Sequence, residues 1–148
     1  METMQWTFVD KSDYEARGEW DSEPDKMQWR DEATGLACLI HRGPVGALCG
    51  YVGVPPGHHH FGKDYNDVDA RAHGGLTFSA KCGETRENGS GICHVAPGEP
   101  ELWWLGFDCA HCDDLSPQMT SHYGSEIYRN IDYVKRECAR LAAQLVVA

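Results

Sequence analysis

Positive charge is what this sequence has least of: 13 Lys and Arg against 23 Asp and Glu leave a formal net charge of −10. No run of basic residues is dense enough to track a phosphate backbone, so extended DNA or RNA is not an expected partner. Small anionic ligands survive that exclusion, because one Lys or Arg, a metal or a few backbone N–H groups supply enough local charge. Long apolar runs are missing as well. No segment approaches the ~20 consecutive apolar residues of a membrane helix. The opening Met1–Asp10 has neither the basic start nor the apolar run of a secretory signal. A cytoplasmic protein with no membrane contact is therefore expected. Internal repeats, linkers and a second composition are also lacking, so residues 1–148 read as a single domain; 41% apolar content and five Trp suffice for its core.

Cysteine is not scarce. Seven are present, and without a secretory signal a disulfide framework is the weaker expectation. Cys38, Cys49 and Cys138 lie in apolar or helical contexts, where a free Cys behaves as a small hydrophobe. Cys82 and Cys93 flank a Gly-, Glu- and Asn-rich hairpin loop; they can bridge or share a metal, although their spacing fits no standard zinc motif. Cys109 and Cys112 make the chain's C-x-x-C.

The pattern predicts a small α+β domain. Residues 1–25 form an irregular arm docked through its aromatic side chains, with a short strand near Gln5–Val9. Strands follow at Lys26–Arg30 and Leu36–Arg42, separated by an Asp-Glu-Ala-Thr-Gly turn, and at Cys49–Val54, which Pro55-Pro56-Gly57 must end. A long loop spans His58–Asp69. Ala72–Ser79 reads as loop entering a strand, with Gly74 and Gly75 permitting an unusual turn or a close approach to the backbone. Ile92–Val95 reads as a short strand and Leu102–Phe107 as a buried one. From about Ser125 the apolar residues Ile127, Ile131, Val134, Cys138, Leu141 and Leu145 recur at three and four, which predicts one long amphipathic helix closing one side of an antiparallel sheet.

Function concentrates at Leu102–Asp114, where an apolar strand ends in Asp108, Cys109, His111, Cys112, Asp113 and Asp114. Three chemistries fit. In the first, His73, Asp108 and His111 hold a divalent metal such as zinc, and Asp114 is a fourth ligand or the base that deprotonates an attacking water. Two His and a carboxylate with an open position suit hydrolytic metals. In the second, Cys109-Ala110-His111-Cys112 is a redox dithiol. Against it, the chain continues Asp-Asp-Leu-Ser-Pro instead of opening a helix, and flanking carboxylates raise a thiol pKa. In the third, the protein binds without catalysis: Trp103, Trp104, Tyr65 and Phe78 line a pocket, and the backbone N–H groups of Gly74 and Gly75 hold an anionic group.

Four stretches carry a resemblance to known sequences: Thr34–Ile40, Gly50–His58, His73–Phe78, and Trp103–His111 with Asp114. The helical Tyr128–Lys135 fits as well. On these the chain resembles a family of small, largely uncharacterised proteins of bacteria and their phages. Cys112 departs from that pattern, where a small residue is expected, which weighs further against the dithiol. By analogy with small phage proteins that destroy or sequester nucleotide second messengers, the resemblance implies a small nucleotide-like substrate or ligand. The expectation is thus a metal-dependent hydrolase of a phosphate-containing small molecule. Lys63 and Tyr65 would meet the ligand's anionic and aromatic parts, with Gly74, Gly75 and Trp104 completing the contacts. The alternative is a protein that sequesters such a ligand intact. Self-association into a homo-oligomer is compatible with either.

Overall fold

Alternating apolar residues and well-formed turns build most of the sheet from neighbouring pieces of chain. A computed structural model describes residues 3–14, 16–82, 92–95, 98–119 and 124–146. Its strands are β1 (Met4–Trp6), β2 (Lys26–Arg30), β3 (Ala37–Arg42), β4 (Leu48–Val54), β5 (Phe78–Lys81) and β6 (Trp103–Asp108). All neighbours are antiparallel, in the order β1-β2-β3-β4-β6-β5. The β2–β3 turn closes as its residues dictate: Asp31 accepts hydrogen bonds from the N–H and the hydroxyl of Thr34. Gly35 supplies a φ of +76°.

Helix α1 (Ile131–Leu145) covers one face of the sheet. Val134, Cys138, Leu141, Ala142 and Leu145 are fully buried at helical spacing against Cys38, Ile40, Val52, Leu105 and Phe107. Each such aliphatic side chain contributes roughly 1.5–3 kcal/mol on burial. The helix sits close because β4 carries Gly50 there: a Cβ at that position would stand 2.4 Å from the Phe107 ring and 3.0 Å from the Cys138 sulfur. The other face buries Leu39, Tyr51, Trp104, Cys82 and Ile92. The architecture is the small α+β fold that the patterning predicts.

The structure differs from the sequence reading at the arm's strand, which is Met4–Trp6 and not Gln5–Val9, at the helix start and at Ile92–Val95. The helix begins at Ile131, not near Ser125, because Asn130 is its cap and accepts the Tyr133 N–H at 2.9 Å. Ile127 is not on the helix; it bridges to Asp114 in extended conformation and is 56% exposed. Ile92–Val95 forms no strand: Cys93 is disulfide-bonded to Cys82, and the Gln28 side chain binds both backbone groups of His94. The loop expected within 83–91 lies outside the described residues.

The arm is docked by charge as much as by its aromatics. Asp25, fully buried, accepts the N–H groups of Phe8 and Val9 at 2.8 Å each. It also accepts the Arg42 guanidinium and the Lys11 ammonium at 2.7 Å each. Burial raises the pKa of this carboxyl, but the bonds from Lys11, Val9, Phe8 and Arg42 outweigh that and hold it below the ordinary carboxylate range. Glu23 accepts the Ile131 N–H at 2.8 Å, which places an anion at the N-terminus of α1. Among the described residues, no helix is long and apolar enough to cross a membrane.

Candidate functional site

The last residue of β6, the loop before β5 and the first turn of α1 meet at one end of the sheet. The strand end and the helix deliver polar side chains from regular structure, and the loop delivers His73 from a turn closed by its own hydrogen bond. Asp108 ends β6 and His111 follows in the turn after it. Asp114 is held by its bridge to Ile127. His73 arrives from the loop, whose Gly75 N–H bonds back to Ala72 at 2.9 Å. Tyr133 projects from the helix.

His73 is the hub. Its Nε2 lies 2.9 and 2.8 Å from the two Asp114 oxygens, and its Nδ1 lies 2.7 Å from the Tyr133 hydroxyl. Asp114 also accepts Arg129 Nε at 2.8 Å and the His111 N–H at 3.0 Å, with its side chain 2% exposed. Burial pushes the Asp114 pKa up, yet the bonds from Arg129, His73 and the His111 backbone outweigh it, and the net direction is down. The carboxylate is therefore ionised near neutrality and can only accept. That places a proton on His73 Nε2; where the ring carries that proton alone, Nδ1 accepts the Tyr133 O–H. Burial, followed by the nearby Glu137, raises the Tyr133 pKa and keeps its proton on.

A second imidazole stands beside the first. The His73 and His111 ring centroids are 5.8 Å apart. His111 Nε2 is buried, lacks a hydrogen-bond partner and lies 3.3 Å from Asp108 Oδ1. That is ion-pair range for a protonated ring, off the line of a hydrogen bond. Asp108 is fixed by Thr77 Oγ1 and the Ala110 N–H, each donating at 3.1 Å. Gly74 explains how the ring fits: with φ at +71°, its absent Cβ would stand 2.1 Å from His111 Nε2.

Gly74→Ala should therefore do two separable things. Left-handed backbone on a non-glycine residue costs roughly 1–2 kcal/mol, which a denaturant titration will read. The half-exposed His111 ring must also swing away, shifting its imidazole NMR signals while those of distant His94 stay put. Unchanged His111 signals would refute the contact.

All four residues assigned from sequence to metal and base, His73, Asp108, His111 and Asp114, thus come together. The roles differ from those expected. Both nitrogens of His73 are engaged, so metal ligation there would require release of Asp114 or Tyr133. Among the described residues, no group of three or more His, Cys, Asp or Glu is arranged to hold a metal ion. Asp114, expected as a base or fourth ligand, is committed to three donors and positions His73. Of the ligand contacts, Gly74 and Gly75 line the cluster's loop, but Trp104 is 1% exposed and packed in the core of the opposite face. Lys63 is exposed, and its backbone carbonyl accepts Trp103 Nε1 at 2.9 Å. Tyr65 is held through its N–H to Ser79 Oγ at 3.1 Å. No described hydrogen bond or ion pair joins either to the cluster.

The dithiol finds little support in these surroundings. Cys109 is 1% exposed, and burial, reinforced by Asp114, drives its thiol far above the ordinary range, away from the thiolate that exchange requires. Cys82 and Cys93, by contrast, are bridged. Arg129 and Tyr133 are the residues that sequence reading left out of the site. Their signals were proximity to a helix start and membership of the Tyr128–Lys135 stretch, and neither says where that start docks. No family model, curated protein or solved structure matches the chain.

Proposed function

We propose that the chain is a hydrolase of a small, nucleotide-like phosphoester working by paired acid–base catalysis. The observation that carries this reading is two imidazoles with ring centroids 5.8 Å apart, each beside its own carboxylate: Asp114 for His73 at 2.8 Å, Asp108 for His111 at 3.3 Å. Such a pair can place a base on one side of a phosphoryl group and an acid on the other.

His73 Nδ1, reached through the Tyr133 hydroxyl, takes a proton from water as the water oxygen bonds to phosphorus. The ester P–O bond breaks, and the departing oxygen takes a proton from protonated His111. Exchange with solvent then returns the base proton and reloads the acid. Arg129 spends Nε on Asp114, and its remaining N–H groups are available to the phosphoryl oxygens. Where a divalent ion is present, Asp108 and the deprotonated His111 ring would hold it, and its charge would replace the His111 proton in stabilising the departing oxygen.

The test is hydrolysis of bis(p-nitrophenyl) phosphate across pH, with and without a chelator. A bell-shaped kcat/KM is expected, lowered roughly 10²–10⁴-fold in His73→Ala and in His111→Ala. Loss of rate on chelation, restored by a divalent cation, would assign the Asp108–His111 side to an ion. Turnover equal in wild type and both variants would refute the proposal.

A further inference from the structure

The sheet face opposite α1 carries a cavity that the hydrolase reading does not use. It is an open cleft of about 570 Å³ between the arm, which contributes Phe8, Asp10 and Asp13, and β3 and β4, which contribute His41, Cys49 and Tyr51. That is within the size range of small-molecule sites. Its walls are set in advance: the Phe8 and Val9 N–H groups are pinned to buried Asp25, so the arm cannot drift over the sheet. Phe8 remains 56% exposed, with its ring 5.5 Å from that of His41.

The charge of the cavity is one-sided. Arg42, which also lines the cavity, is paired with Asp25 and Glu23, and Lys11 with Asp25. Among the described residues, no cation pairs with Asp10 or Asp13. Asp10 uses Oδ1 to accept the Ser12 N–H and hydroxyl, which leaves Oδ2.

We infer that this cavity binds a flat aromatic ring bearing an ammonium group, with the ring against Phe8, His41 and Tyr51 and the ammonium at Asp10 and Asp13. Aromatic rings pack against one another, and the two carboxylates attract the ammonium while repelling an anionic ligand of the same shape. None of these residues belongs to the paired imidazoles, so the two proposals stand or fall separately.

Equilibrium dialysis against tryptamine and indole-3-propionate, one ring system with opposite charges, tests it. Tryptamine should be retained at least ~10-fold more tightly, a modest return for two opposed carboxylates. The Asp10→Asn/Asp13→Asn double variant keeps an Asn able to cap Ser12 and should bring the two probes within about twofold of each other. Phe8→Ala, which empties no core, should weaken tryptamine roughly threefold to tenfold. Melting curves confirm that each variant is folded. Equal retention of both probes, retention of neither, or a preference unmoved by the double variant would overturn the site.

Discussion

Replacing Asp25 by Ala should lower the unfolding free energy by about 3–5 kcal/mol, as much as truncating a large core side chain. The side chain is fully buried and satisfies Arg42, Lys11 and two backbone N–H groups at once. Removing it strands a buried guanidinium and an ammonium, and that desolvation, not a lost Coulomb pair, sets the magnitude. For a chain of this size each kcal/mol moves Tm by roughly 2–4 °C, so differential scanning calorimetry suffices. Coupling the change to Arg42→Met should recover only part of the loss, because the guanidinium is no longer stranded while Lys11 and the Phe8 and Val9 N–H groups still are. A loss below ~1 kcal/mol for the single variant would mean that the arm is held by its aromatics alone.

Asp114→Asn should cost about 10³–10⁴-fold in turnover while leaving the chain folded. A carboxylate only accepts, whereas the Asn amide presents a donor toward His73 or Arg129. If it faces His73, Nε2 must become the acceptor and the ring proton moves to Nδ1, which can then no longer take a proton from Tyr133. Loss of the correct tautomer is worth about 10⁴ in a well-studied triad. Stability reports the same carboxylate independently. Its folded pKa lies below the unfolded value of ~3.9, so its stabilisation is fully present above that value and lost as pH falls through the folded one. The Asn variant should flatten the stability curve in that acid window. Wild-type activity in Asp114→Asn would remove His73 as the base.

Much of this was readable from residues alone, for reasons that differ by element. Strands β2, β3 and β6 declare themselves through aliphatic and aromatic side chains next to turn residues, a local code. The helix face is equally local, but its start is not: Ile127 keeps the helical spacing, and only the Asn130 side chain turning onto the Tyr133 N–H ends the pattern there. His73, Asp108, His111 and Asp114 stood out because polar residues crowd where apolar strands end. Their mutual roles depended on contacts far apart in the chain. Tyr133 lies sixty residues from the histidine it bonds, and Arg129 reads as a solvated helix residue until Asp114 is placed beside it. Trp104 misled for a related reason, since a Trp pair looks the same in sequence whether it faces a ligand or a core.

Strand order also has a consequence for how the molecule comes to exist. β6 is the last strand in the chain, yet it lies between β4 and β5. Until it inserts, both neighbours present open edges, the kind of surface that recruits other chains. Its pairing with β4 closes the long excursion from Val54 to Trp103, a non-local step whose entropy must be spent before its contacts form. The turn bearing His111 and Asp114 is the continuation of that strand. A chain still emerging from the ribosome therefore holds His73 without Asp114 beside it, and the cluster assembles only as that slot of the sheet is filled.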